Sequence, residues 1–248
     1  FAEYAAALES AGCAVRRHFL QAEVDFAVTD SILSSITPEV DMVFLCQPNN
    51  PTGQLTPLPL VERILRRCEA CGALLVVDEC FLDFLPDCDA LTAKALLDSK
   101  NLLILKAFTK LYGMAGVRLG YCLCANTALL EAMQAAGQPW AVSSLAQAAG
   151  LAALDETAYV AQVRALIAQQ RPRLTAGLRA LGLRVLDGRA NYLLFQGPET
   201  LGDALRQWGV VLRSCSNYPG LDGSWYRTAV RTGPENDELL KTLAEVLA

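Results

Sequence analysis

Apolar positions along the chain change spacing from segment to segment, and the spacing predicts the elements. Residues 1–11 (within FAEYAAALESAG) carry a helical pattern, and residues 13–19 read as a strand. A short helix is expected at 29–36. DMVFLC at 41–46 reads as a buried strand, and residues 57–71 as an amphipathic helix with proline near its first turn. GALLVVD (72–78) and NLLILK (101–106) are continuous apolar strands, and VRLGYCLC (117–124) is a third. Uninterrupted apolar strands separated by helices indicate a mainly parallel sheet covered on both faces.

After about residue 125 the texture changes. Residues 126–136 and 142–180 are rich in Ala and Leu and helical, with interruptions expected near Gly137–Pro139 and at Pro172. Short strands follow at 183–187, 190–196, 209–213 and 225–231, with helices at 199–207 and 234–247. The whole predicts an α/β three-layer sandwich followed by a smaller C-terminal α+β domain. The expected division is 1–137 for the large domain, 138–180 for connecting helices and 181–248 for the small domain. No internal repeat or low-complexity segment interrupts this plan.

Composition narrows the function classes. The chain has 248 residues, 53% hydrophobic and 19% charged, enough for a real core. A net charge of −5 argues against a general nucleic-acid grip, which needs clustered Lys and Arg. No apolar run approaches the roughly 18–20 residues that span a bilayer, so no membrane partner is expected. The chain opens on Phe1 within a helical pattern, so an N-terminal stretch is expected to lie outside this sequence. Nine scattered cysteines suit reduced thiols in a cytoplasm better than a disulfide framework. Cys68 and Cys71 form a CxxC without a second pair at ligand-like spacing, and Cys122 and Cys124 read as strand core. His18 is the only histidine, which removes histidine-based triads and multi-histidine metal sites.

Four segments carry candidate chemistry. QPNNPTG (47–53) makes a tight turn at the carboxyl end of a strand, where open α/β sheets bind ligands; it would equally serve as a plain loop. In VVDECF (76–81), Asp78 ends an apolar strand, where a carboxylate needs a cationic partner or a helix to cap. KAFTKLYGMAGVRLGYC (106–122) sets Lys110 just beyond a strand, aimed toward the expected interior, with Gly113, Gly116 and Arg118 after it. LRSCSNYPGLDGSWYRTAVR (212–231) places Arg213, Arg227 and Arg231 on or beside apolar strands. They either pair with acids or together hold an acidic substrate.

Asn-Pro-Thr-Gly, then a strand-terminal Asp, then T-K-x-x-G-x-x-G-x-R-x-G-Y, in this order and separation, resembles the aspartate-aminotransferase fold family (fold type I) of pyridoxal-phosphate enzymes. The likeness runs over essentially the whole chain. GQPWAVSSLAQAAG (137–150), GRANYLLF (188–195) and above all RSCSNYPGLD resemble the L-threonine-O-3-phosphate decarboxylases of cobalamin biosynthesis. Histidinol-phosphate aminotransferases share everything except that last string.

The resemblance implies residue roles around pyridoxal 5'-phosphate. Lys110 would join the cofactor aldehyde and later move protons; Asp78 would pair with the pyridine nitrogen. Asn50 would donate to the ring's 3-oxygen, and Thr109 and Arg118 would hold the cofactor phosphate. Arg227 would bind a substrate carboxylate, Arg213 a substrate phosphate, and Asn191 would support the carboxylate site. The pattern is broken at Phe81, where many relatives carry Tyr, and at Ala107, where they carry Ser or Thr. It also places the Gly-rich phosphate loop, the ring-stacking residue and an N-terminal arm upstream of Phe1. The implied activity is decarboxylation of threonine phosphate by a cytoplasmic homodimer. An aminotransferase acting on a phosphorylated amino substrate such as histidinol phosphate is the alternative, and a regulator's sensor domain or an inactive relative are more distant ones.

Overall fold

The structure is a computed structural model that describes residues 2–248; Phe1, first in the helix expected at 1–11, lies outside them. In chain order the helices and strands are α1 (Ala2–Ser10), α2 (Ile32–Ser35), β1 (Met42–Cys46), α3 (Leu58–Cys71), β2 (Leu74–Asp78), α4 (Cys88–Leu91), β3 (Leu102–Ala107) and α5 (Phe108–Leu111). They continue as β4 (Gly120–Leu123), α6 (Thr127–Ala136), α7 (Ser144–Asp155), α8 (Thr157–Ala180), β5 (Arg184–Val185) and β6 (Tyr192–Gln196). The last are α9 (Leu201–Gln207), β7 (Arg213–Ser214), β8 (Trp225–Ala229) and α10 (Gly233–Leu247). The chain divides into two compact units. One joins Val28–Gln47 to Thr56–Val163; the other joins residues up to Ala27 to Pro48–Leu55 and Arg164–Ala248.

The first unit is built on a sheet of order β1-β2-β3-β4. β1, β2 and β3 are parallel, and β4 runs antiparallel to β3. The apolar runs of β2 and β3 are apolar because both sheet faces are covered; Leu75, Val77, Leu102 and Ile104 are fully buried. α3 supplies part of that cover. Its residues Leu60, Val61, Ile64, Leu65 and Cys68 recur at helical spacing and turn inward. The helix stops where Gly72 enters the left-handed region, φ 73°, and donates back to the Cys68 and Glu69 carbonyls.

The second unit holds an all-antiparallel sheet of order β5-β6-β8-β7. Leu174 and Leu178 of α8, Leu201 and Leu205 of α9 and Leu243 of α10 pack with Leu193, Phe195 and Tyr226 of this sheet. A capping box starts α10: the Thr232 side chain accepts from the N3 backbone, and Glu235 accepts from Thr232. The turn at Pro48–Leu55 is seated here by close backbone contact. Arg189 N donates to Gly53 O at 2.6 Å. A Cβ on Gly188 would lie 2.4 Å from Thr52 O, so only glycine fits there.

Several expectations need correction. Residues 13–19 form no strand among the described residues; Arg16, Arg17 and His18 break the apolar alternation, and Phe19 is left 60% exposed. Pro172 does not interrupt α8, which runs through it because Ile167, Leu174 and Leu178 anchor both flanks in the core. The actual break falls at Glu156, between α7 and α8. Cys122 and Cys124 are half-buried rather than core. All nine cysteines are free.

Candidate functional site

Parallel strands deliver Asp78. It is the last residue of β2, level with Cys46 of β1 and Leu105 of β3, at the carboxyl edge of the sheet. Its Oδ1 accepts a 2.9 Å hydrogen bond from the Cys80 backbone N–H, which fixes the carboxylate at the mouth of the strand. Lys110 arrives from the next strand over. β3 ends at Ala107, and α5 begins at once, so Lys110 sits one helical turn past the sheet edge. Its Nζ stands 5.3 Å from the centre of the Phe81 ring. Phe81 is the position where the resemblance calls for Tyr, and it keeps the aromatic face while lacking the hydroxyl.

The Cys80 thiol reports on both charged groups. Burial pushes its pKa up most. The charge of Asp78 and a hydrogen bond to it add to the rise, as does Cys46, while the Lys110 ammonium pulls the other way. Asp78 ends β2 and Lys110 follows the end of the adjacent β3, so both stand at the carboxyl edge of the sheet.

Lys110 itself is exposed, contrary to the expected inward course, because α5 carries it out of the sheet. The buried lysine of this segment is Lys106, which the sequence reading passed over. Its side chain is 2% exposed and pairs with Glu79 at 3.0 Å and Asp83 at 2.8 Å. Burial lowers the Lys106 pKa, but Asp83 and Glu79 outweigh it and leave the ammonium above its ordinary value. Glu79, fully buried, also accepts from Thr92 Oγ1 and Ala93 N, each at 2.7 Å. The signal was present as a lone lysine in an apolar run and a second acid behind Asp78. Thr109 is half-buried in α5. Arg118 is exposed, takes a left-handed φ of 58° and donates to Ala115 O at 3.1 Å.

In the other unit Asn50 meets Arg227, and Arg213 donates to Asn217 Oδ1 at 3.2 Å. Arg227 Nη1 donates to Asn50 Oδ1 at 2.6 Å. The guanidinium also lies over the Tyr192 ring, 5.0 Å from its centre, and the Tyr192 hydroxyl donates to Asn49 O at 3.0 Å. Tyr218 adds a 3.1 Å bond to Asn50 Oδ1; neither tyrosine was singled out from the sequence. Arg213 is directly opposite Arg227 in the β7–β8 register, so the two project from the same face of the sheet. Like charges in that arrangement repel unless an anion lies with them. Asn191, just before β6, has a buried Oδ1 with no hydrogen-bond partner. Arg231, by contrast, is taken up by Glu235 at 2.6 Å.

The model for aminotransferase class I and II matches residues 1–244, and the chain belongs to that family, whose cofactor is pyridoxal phosphate. A threonine-phosphate decarboxylase from Salmonella typhimurium is 39% identical over 251 residues, covering 100% of this chain and 69% of the relative. A histidinol-phosphate aminotransferase from Dechloromonas aromatica is 32% identical over 221 residues, covering 88% of this chain and 60% of the relative. The crystal structure of the histidinol-phosphate aminotransferase from Clostridium acetobutylicum superposes with a TM-score of 0.94 at 28% identity, covering 100% of this chain and 75% of that one. The donor set has the chemistry the cofactor needs: an acid, Asp78, at the carboxyl end of β2 and an amine, Lys110, one turn past the adjacent β3. Among the described residues no group of His, Cys, Asp and Glu could hold a metal ion.

Proposed function

We propose that this chain is the larger part of an enzyme that decarboxylates L-threonine O-3-phosphate to (R)-1-aminopropan-2-ol O-2-phosphate in cobalamin biosynthesis, using pyridoxal 5'-phosphate. The observation that carries the reading is the pair of arginines at opposed positions of β7 and β8. A substrate bearing both a carboxylate and a phosphate supplies two anions to two like charges. The decarboxylase relative covers the whole of this chain, including RSCSNYPGLD, and supports the same choice.

When bound, the cofactor supplies an electron sink that accepts charge from the substrate α-carbon. Lys110 would bind the cofactor aldehyde and serve as the acid/base that moves protons at that carbon. Asp78 would pair with the ring nitrogen and keep it protonated, and Asn50 would donate through Nδ2 to the ring's 3-oxygen. Thr109 and Arg118 would hold the cofactor phosphate. Arg227, supported by Asn191, would bind the carboxylate, and Arg213 would bind the substrate phosphate. Clamping both anions would fix the torsion at the α-carbon and so favour loss of the carboxylate.

A second reading, transamination of a phosphorylated amino substrate such as histidinol phosphate, is favoured by the aminotransferase relatives and the 0.94 superposition. Full-length protein incubated with pyridoxal phosphate and threonine phosphate separates the two. Carbon dioxide and aminopropanol phosphate are expected; conversion of the cofactor to its amine form without carbon dioxide overturns the decarboxylase. Lys110→Ala should abolish turnover, and Asp78→Asn should lower it by about 100-fold or more. The full-length protein is proposed to be a cytoplasmic homodimer. Trp140, 96% exposed, and Leu145, Leu151 and Leu154 of α7 offer apolar surface for self-association.

A further inference from the structure

We infer that Tyr218 is a positioning residue that locks the Asn50 amide and, through it, the Arg227 guanidinium. The inference rests on the roles proposed above for Asn50 and Arg227.

Asn50 is buried, at 8% exposure. The atom facing Arg227 must be its carbonyl oxygen, because a guanidinium only donates. That oxygen has two lone pairs. Arg227 Nη1 fills one at 2.6 Å and the Tyr218 hydroxyl fills the other at 3.1 Å. With both filled, turning the amide over would set an NH2 against the guanidinium. Nδ2 is thereby directed away from the arginine, as a donor for a ligand.

Tyr218 can do this because its own backbone is pinned. Its N–H donates to Cys215 O at 3.0 Å, and its carbonyl accepts from Leu221 N at 3.0 Å. Its ring packs against the cluster of Phe26, Leu186, Leu194, Cys215 and Trp225. The hydroxyl is thus presented to Asn50 from a rigid turn. The Tyr192 ring lies against the Arg227 guanidinium as well.

Removing one hydrogen-bond donor leaves Arg227 alone on the Asn50 oxygen, and the amide becomes free to rock. A donor to the cofactor's ring oxygen favours its anionic form. Weakening that donor makes the oxygen hold a proton more tightly, so the pH midpoint of the bound cofactor's absorbance change moves up.

The test is Tyr218→Phe in full-length protein loaded with pyridoxal phosphate. The expected result is an absorbance midpoint raised by about 0.5 pH or more, together with a KM for threonine phosphate raised about 3- to 10-fold. The thermal midpoint without cofactor should stay close to that of the native protein. In an Asn50→Ala background the same substitution should move the absorbance midpoint no further, since the lock has nothing to hold. Tyr218→Leu serves as a second variant if the phenylalanine form is poorly folded. A native midpoint and KM in Tyr218→Phe, or a full shift that persists without Asn50, overturns the inference. The product assay on native protein decides the reaction separately, because the midpoint does not depend on which product forms. Full-length protein that takes up no pyridoxal phosphate overturns both.

Discussion

Lys106 and Lys110 are four residues apart and have opposite environments. Lys110 is exposed beside Phe81, whereas Lys106 is buried against Glu79 and Asp83. A buried ion pair adds little net stability, but breaking it leaves an unpaired charge inside. Lys106→Met should therefore cost about 3–5 kcal/mol in urea unfolding. Lys110→Met should cost under about 0.5 kcal/mol, as exposed substitutions do. Equal losses would contradict the assignment. The pH effect has a definite sign. Lys106 is held above its ordinary value in the folded protein, so its contribution is complete below about pH 10.5 and is lost as pH rises through the folded pKa. Alkaline titration of the native protein should show this loss, and Lys106→Met should lack it. The strand pattern in NLLILK was legible, but which lysine stays inside was not: that depends on where β3 gives way to α5, a boundary set by tertiary contacts.

At the scale of elements, the apolar strands and α3 were readable because each buries a continuous face, and burial leaves a period in the sequence. The two-residue strands β5 and β7 leave almost none. Residues 13–19 show the converse, an apolar-looking stretch that finds no partner strand. The register that sets Arg213 opposite Arg227 depends on strand pairing distant in sequence, so only the identity of the arginines could be read beforehand. α10 offers a test at its start. Thr232→Ala removes the cap and should lower stability by about 1 kcal/mol. Hydrogen bonds from the Thr232 side chain first, then Arg231, hold Glu235 below its ordinary pKa. Its contribution is present above about pH 4.5 and is lost as pH falls through the lower folded value. Acid unfolding of Glu235→Gln should lack that component.

For the whole molecule, the family and the fold class followed from the order and separation of three motifs: Asn-Pro-Thr-Gly, the strand-terminal Asp78 and the segment around Lys110. The sequence could not show that the Asn-Pro-Thr-Gly turn packs with the C-terminal strands; Gly53 and Gly188 meet across more than a hundred residues of chain. Self-association belongs to this scale too. Full-length protein should sediment as a dimer, and Leu145→Glu with Leu151→Glu should shift it toward monomer. Native protein that is monomeric at micromolar concentration would contradict the proposed role of that apolar surface.

The claim on which the rest depends is that the Lys110 amine, rather than the neighbouring Lys106, carries the cofactor. Full-length protein loaded with pyridoxal phosphate and reduced with borohydride fixes the attached cofactor as a secondary amine, which peptide mass spectrometry then locates. The added mass is expected on Lys110 alone. The same mass on Lys106 or on any other lysine, with Lys110 unmodified, would contradict it.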